Sequence, residues 1–112
     1  MLVLSRLVGF SVLVGTNGRL TVCGVRCVRG KVVADLLFVS GCNIKRFTVG
    51  VDETFELSAR GSDSADHVVT VMIVEVSGFS RRPKVRLGFD ASREVVILRE
   101  ELRDQSFQKV LS

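Results

Sequence analysis

Short runs in which apolar and polar residues alternate, separated by turn residues, most constrain the fold of this chain. Residues 84–90, KVRLGFD, place Val85, Leu87 and Phe89 at alternate positions, which is the period of a strand with one buried face. The same period begins the chain in residues 1–6. Helical periodicity is absent before the C-terminal residues. The pattern therefore predicts an all-β protein of small antiparallel sheets or a barrel, with a short C-terminal α-helix.

Nine strands are predicted between the turn signals. They cover residues 1–6, 11–14, 19–26, 31–39, 44–49, 54–57, 68–76, 84–89 and 94–99. Asn17-Gly18 is a strong hairpin signal because both residues tolerate positive φ. Residues 58–66, SARGSDSAD, read as a polar and mobile loop.

The last predicted strand runs into a helix start. Val95-Val96-Ile97-Leu98 is a strongly apolar run, and Arg99-Glu100-Glu101 ends it. Acidic residues in a first helical turn suit the positive end of the helix dipole. A helix to about residue 105 is predicted, followed by a tail over residues 106–112.

Length and charge favour one basic domain over residues 1–112. The formal net charge is +4, which is compatible with binding a polyanion. The chain has no Trp and no Tyr, so only Phe can stack on nucleic-acid bases. Many of its arginines lie in the C-terminal third.

The sequence offers little for metals, membranes or catalysis. Cys23, Cys27 and Cys42 lack CxxC spacing, and a single histidine accompanies them, so we expect reduced thiols in the cytoplasm and no cofactor. The apolar run over residues 7–15 is too short to span a bilayer. Phosphate-binding and nucleophile motifs are missing, which argues against an enzyme. His67, next to Asp66 in the predicted loop, is expected to be solvated.

Two segments at opposite ends of the chain resemble one family. Residues 1–6 read MLVLSR, and residues 84–101 read KVRLGFDASREVVILREE. They are similar to the opening MLVLTR and the later KVRxGxxAPxxVxVxREE of the carbon storage regulator family, small bacterial proteins that bind messenger RNA. The resemblance implies five strands and a helix per copy in an interlaced dimer. It also implies RNA sites that join the first strand of one copy to the last strand of the other.

The resemblance further implies a target and a set of binding residues. The target class is GGA-containing hairpin loops in messenger RNA leaders or small RNAs, bound so as to modulate translation. The residues at matching positions are Leu4, Ser5, Arg6, Val95, Ile97, Leu98, Arg99 and Glu100. Arg99 can form paired hydrogen bonds to guanine or to phosphate. The chain departs from the family at Leu7, Phe10 and Ser92, where the pattern has a basic residue, Glu and Pro.

The chain is about twice the family's usual length, and two explanations are open. We favour an internal duplication, with a degenerate copy in residues 1–48 and a better preserved copy in residues 49–105. Residues 11–14 echo residues 54–57, and Val8-Gly9 echoes Val49-Gly50. This monomeric pseudo-dimer would keep one intact site, because the strand near residues 44–49 lacks the site's side chains. The alternative is one copy with an insertion of about fifty residues, forming a homodimer with two sites.

Two functions from different classes follow. The first is an RNA-binding regulator of translation, with a possible regulatory protein as antagonist. The second is a degenerate family member that acts as a protein-interaction partner or antagonist without binding RNA. The REE sequence at residues 99–101 favours the first.

Overall fold

The computed structural model describes residues 1–78 and 81–101. They form nine β-strands: β1 (Leu2–Leu7), β2 (Ser11–Val14), β3 (Gly18–Val28), β4 (Lys31–Ser40), β5 (Asn43–Gly50), β6 (Thr54–Arg60), β7 (Asp66–Ser77), β8 (Lys84–Asp90) and β9 (Ile97–Arg99). All of the strand pairs are antiparallel. The prediction of an all-β fold with small antiparallel sheets is confirmed.

The strands divide into two sheets that exchange their end strands. The first sheet has the order β1-β8-β7-β6, and the second has the order β5-β4-β3-β2-β9. The N-terminal strand β1 therefore lies beside strands from the second half of the chain. The C-terminal strand β9 lies beside strands from the first half.

The inward faces of both sheets share one apolar core. In β6 every second residue is buried, namely Phe55, Leu57 and Ala59, as the alternation of side chains across a strand requires. The core residues are Val12, Val14, Leu20, Val22, Ala34, Leu36, Phe38, Val49, Phe55, Leu57, Ala59, Val69, Val71, Ile73, Val85, Leu87, Phe89 and Val95. Burying a side chain such as Leu87 contributes about 1.5–3 kcal/mol, so this core fixes which face of each strand points inward.

The strand order β1-β8-β7-β6 of the first sheet corresponds, strand by strand, to the order β5-β4-β3-β2 within the second sheet. The ladder between β3 and β4 shifts register after Val22, and the ladder between β7 and β8 shifts after Ile73. The amide N–H of Gly9 donates to the carbonyl of Val22 at 2.7 Å, and that of Asp52 donates to Ile73 at 2.7 Å. Gly9 therefore corresponds to Asp52, and both have positive φ. The predicted echo of Val8-Gly9 with Val49-Gly50 is offset by two residues.

The hairpin at residues 14–18 forms as predicted, but its turn chemistry differs. Gly18 is already paired with Val14 in the ladder, and Gly15 carries the positive φ, at 70°. Asn17 does not adopt positive φ. The pattern with two successive positive φ values instead occurs at Arg29 and Gly30 (51° and 77°), where a two-residue turn joins β3 to β4.

The predicted loop over residues 58–66 and the predicted last strand require correction. Residues 58–60 belong to β6 and Asp66 to β7, because Ser58, Ala59 and Arg60 pair with Val68, His67 and Asp66 in the ladder. The predicted last strand, residues 94–99, shrinks to Ile97–Arg99 because the Val95 amide bonds to Ser92 and leaves the ladder. Only Glu100 and Glu101 of the predicted helix are described, and both are helical. The rest of that helix and the tail lie outside the described residues.

Candidate nucleic-acid interface

The two ends of the chain meet where the edge strands β1 and β9 face each other. β1 is the edge of the first sheet and β9 is the edge of the second. Arg6, near the end of β1, donates two hydrogen bonds to Glu101, just after β9: Nη1 to Oε1 at 2.6 Å and Nη2 to Oε2 at 2.8 Å. This bidentate ion pair connects the edges of the two sheets.

Arg6 is a buried charge in this pair, while Glu101 is half-exposed. The Arg6 side chain is 6% exposed and the Glu101 side chain 45%. Hydrogen bonds from the Arg6 guanidinium lower the pKa of Glu101 below its ordinary value. The carboxylate therefore stays ionised and keeps Arg6 oriented along the edge of β1.

An open cavity of about 340 Å³ lies beside this ion pair. Its lining residues are Ser5, Arg6, Leu7, Phe10, Arg99 and Glu101. The Nε atoms of Arg6 and of Arg99 are both buried and have no hydrogen-bond acceptor among the described residues. Buried donors are satisfied in the great majority of cases, so two unsatisfied guanidinium N–H groups on arginines that line one cavity are unusual.

Phe10 gives this cavity an aromatic wall. It follows the tight turn at Gly9 and is 37% exposed. The guanidinium carbons of Arg6 and Arg82 each lie over its ring, 5.1 Å from the centroid. Both contacts are cation–π interactions, so guanidinium groups from β1 and from the loop between β7 and β8 meet at one ring.

The structure brings together three of the eight residues that the resemblance implied. Ser5, Arg6 and Arg99 line the cavity. Leu4 and Ile97 are partly buried against the core, and Val95 belongs to it. Leu98 pairs with Leu13 in the β2–β9 ladder. Glu100 forms an ion pair with Arg19 at 3.0 Å and is not among the cavity residues.

Four residues at this place were missed by the sequence reading. They are Leu7, Phe10, Arg82 and Glu101. In the sequence, Leu7 and Phe10 are departures from the family pattern, so the resemblance does not predict their position on the cavity wall. The REE sequence contained a signal for Glu101, but a sequence does not tell which of two adjacent carboxylates faces Arg6.

The corresponding edge of the molecule lacks the same side chains. Leu87 and Leu36 are equivalent positions, because each is the last pair before the register shift of its ladder. Arg6 pairs with Val85, two residues before Leu87. Val49 pairs with Ala34, two residues before Leu36. Val49 therefore occupies the place of Arg6 and carries no charge. Among the described strands, none lies beside β6 as β9 lies beside β2.

The sequence predicts that His67 is solvated in a loop, and this prediction is wrong. It lies on β7 with its side chain 23% exposed, and its Nε2 contacts both carboxylate oxygens of Asp63 at 2.9 Å. Its Nδ1 lies 3.3 Å from Ser92 Oγ. The hydrogen bond from His67 lowers the pKa of Asp63. His67 thus connects the β6–β7 loop to the segment before β9.

Cys23, Cys27 and Cys42 are free and exposed. Residues 1–78 and 81–101 hold no group of three or more potential metal ligands. Over the same ranges no helix is long and apolar enough to cross a membrane.

Comparison with known proteins returned no match: no family model, no curated protein and no solved structure matches this chain. The resemblance to the carbon storage regulator family therefore depends on the motif residues of the two segments alone.

Proposed function

We propose that this protein binds RNA in the cavity between β1 and β9 and regulates translation by occupying GGA-containing hairpin loops of messenger RNA leaders or small RNAs. One observation carries the proposal: Arg6 and Arg99 line one open cavity between the edges of the two sheets, and the buried Nε–H of each has no acceptor among the described residues. Guanine presents acceptors at O6 and N7, and a guanidinium binds such a pair in bidentate fashion. The proposed place of action is the cytoplasm.

The backbone of the edge strands supports this assignment. β1 pairs only with β8, and β9 pairs only with β2, among the described strands. The outer edge of each strand presents N–H and C=O groups. Unpaired loop bases expose their Watson–Crick edges and can bond to such groups. In this proposal the backbone reads base edges while Arg99 contacts a guanine.

We further propose one RNA site per chain in a monomer. The exchange of β1 and β9 between the two sheets completes one such cavity from a single chain. The corresponding edge has Val49 in place of Arg6. This arrangement is what an internal duplication with one degenerate site would produce.

The test compares a hairpin with GGA in its loop and a hairpin with the loop scrambled. Arg99→Ala is expected to lower the affinity for the GGA hairpin roughly tenfold or more, as loss of a bidentate base contact does. The matched control is Arg60→Ala, because Arg60 is exposed, is the last residue of β6 and is not among the residues that line the cavity. It removes the same charge and is expected to change the affinity less than about threefold.

Gel shifts and fluorescence anisotropy at fixed salt measure these affinities. Equal binding to the GGA and scrambled loops would contradict the specificity. An equal loss in Arg99→Ala and Arg60→Ala would show that charge alone accounts for binding and would remove the site from between β1 and β9.

A further inference from the structure

We propose that Phe10 is a stacking platform for one unpaired base of the bound RNA, and that Arg82 leaves the ring for a phosphate when the base arrives. This inference rests on the proposed function and adds a subsite to it. Phe10 stands where the family pattern has Glu, so the resemblance itself assigns it no contact. The inference rests on the position, the exposure and the cationic neighbours of the ring.

The backbone of Phe10 is fixed on both sides. Its amide donates to the carbonyl of Leu7 at 3.1 Å, and its carbonyl accepts from the amide of Val22 at 3.1 Å. The preceding amide, of Gly9, donates to Val22 at 2.7 Å. The ring is therefore carried by a hydrogen-bonded turn, and it lines the same cavity as Arg99.

The two arginines over the ring differ in how they are held. Arg6 is 6% exposed and bound by both oxygens of Glu101, so its guanidinium is a fixed neighbour. Arg82 is exposed and comes from the loop between β7 and β8, just before Pro83. A cation–π contact at an exposed position is weaker than the stacking of a base on an aromatic ring. A base therefore displaces Arg82 more easily than Arg6.

The displaced arginine remains close to the RNA backbone. A base stacked on Phe10 brings its own phosphate to the rim of the cavity, where an exposed guanidinium can pair with it. Arg82 thereby supplies positive charge near the position where Leu7 replaces a basic residue of the family pattern. Because every base has a π-face, Phe10 adds affinity with little sequence preference.

The experiment places 2-aminopurine at each unpaired loop position in turn, with the remaining loop unchanged. Stacking on an aromatic ring quenches its fluorescence, and the protein contains no Trp or Tyr to add background. We expect quenching at one loop position with the wild-type protein and its loss with Phe10→Leu. We also expect Phe10→Leu to weaken RNA binding roughly tenfold, since one base stack is lost. Phe10→Trp should restore both the quenching and the RNA affinity that Phe10→Leu loses.

Three results separate this inference from the proposed function. If Arg99→Ala abolishes preference for GGA while Phe10→Leu binds and quenches like wild type, the stacking platform is overturned and the function stands. If GGA and scrambled loops bind equally but Phe10→Leu removes the quenching, the stacking platform stands and the GGA preference falls. If wild type binds neither RNA, both proposals fall.

Two further variants complete the test. Should Phe10→Leu fail to fold, the single Trp of Phe10→Trp reports stacking directly, and unchanged emission at saturating RNA would overturn the inference. Arg82→Gln is expected to reduce the slope of log affinity against log salt by about 0.7, the value for one phosphate contact on a single strand. Arg60→Gln is its charge-matched control, and equal slopes for both variants would contradict the role of Arg82.

Discussion

At the scale of single residues, the ion pair between Arg6 and Glu101 governs the candidate site. Arg6 is nearly inaccessible while Glu101 reaches solvent, so removal of the carboxylate leaves a buried cation with fewer acceptors. Breaking such a pair costs more than breaking an exposed one, because a buried charge without its partner loses both solvent and counterion.

We predict that Glu101→Gln lowers the free energy of unfolding by about 1–2 kcal/mol at neutral pH. Glu100→Gln is the matched control: its partner Arg19 is 57% exposed, so a change within about 0.5 kcal/mol is expected. Urea unfolding followed by circular dichroism measures both. Equal effects of the two variants would contradict the special role of the buried pair.

The same prediction has a pH dependence whose sign follows from the lowered pKa of Glu101. Its folded-state pKa lies below the ordinary value of 4.5, so the unfolded chain takes up the proton first as pH falls. The stabilising contribution is therefore complete above about pH 5 and is lost as pH falls through the lowered pKa. The difference in stability between wild type and Glu101→Gln should shrink below pH 4.5. A difference that grows on acidification would contradict this assignment.

At the scale of elements, the turn between β2 and β3 is more tightly constrained than the other glycine turns. Gly15 has a φ of 70°, and a Cβ there would clash with the carbonyl oxygen of Arg60. Gly30 has a similar φ of 77° but meets nothing within 4 Å. The two positions share their backbone conformation and differ in the space around them.

We predict that Gly30→Ala costs about 1–2 kcal/mol from left-handed strain alone, and that Gly15→Ala costs a further 1–3 kcal/mol or so because of the close approach to β6. Thermal and urea unfolding of the pair separate the two contributions. Equal destabilisation would show that the contact between the β2–β3 turn and Arg60 is not tight in solution.

Also at this scale, strand identity was more predictable than strand ends. Alternation, continuous apolar runs and turn residues together located the nine strands, since a half-buried strand must place its apolar side chains on one face. The shift in register after Val22 and after Ile73 left no mark in the pattern. The shortening of β9 depends on the hydrogen bond from Val95 to Ser92, which a β-branched run does not reveal.

At the scale of the whole molecule, the exchange of β1 and β9 between sheets makes a partner chain unnecessary for the cavity. We predict a monomer of 12.3 kDa that binds one hairpin. Light scattering gives the mass, and titration of labelled RNA at concentrations well above the dissociation constant gives the stoichiometry. A mass twice as large with two hairpins bound would favour the alternative of a single copy with an insertion.

The sequence by itself determined the all-β class, the positions of the strands and two of the segments that form the candidate site, because these depend on local periodicity and on residue identity. Only the tertiary structure decided which side chains share a cavity. Arg6 and Glu101 pair although almost the whole chain separates them. Arg82 contacts the ring of Phe10 from a distant loop. Glu100, next to Glu101, pairs with Arg19 and not with Arg6. Such contacts arise from the packing of two sheets, and packing joins residues whose separation along the chain carries no local signal.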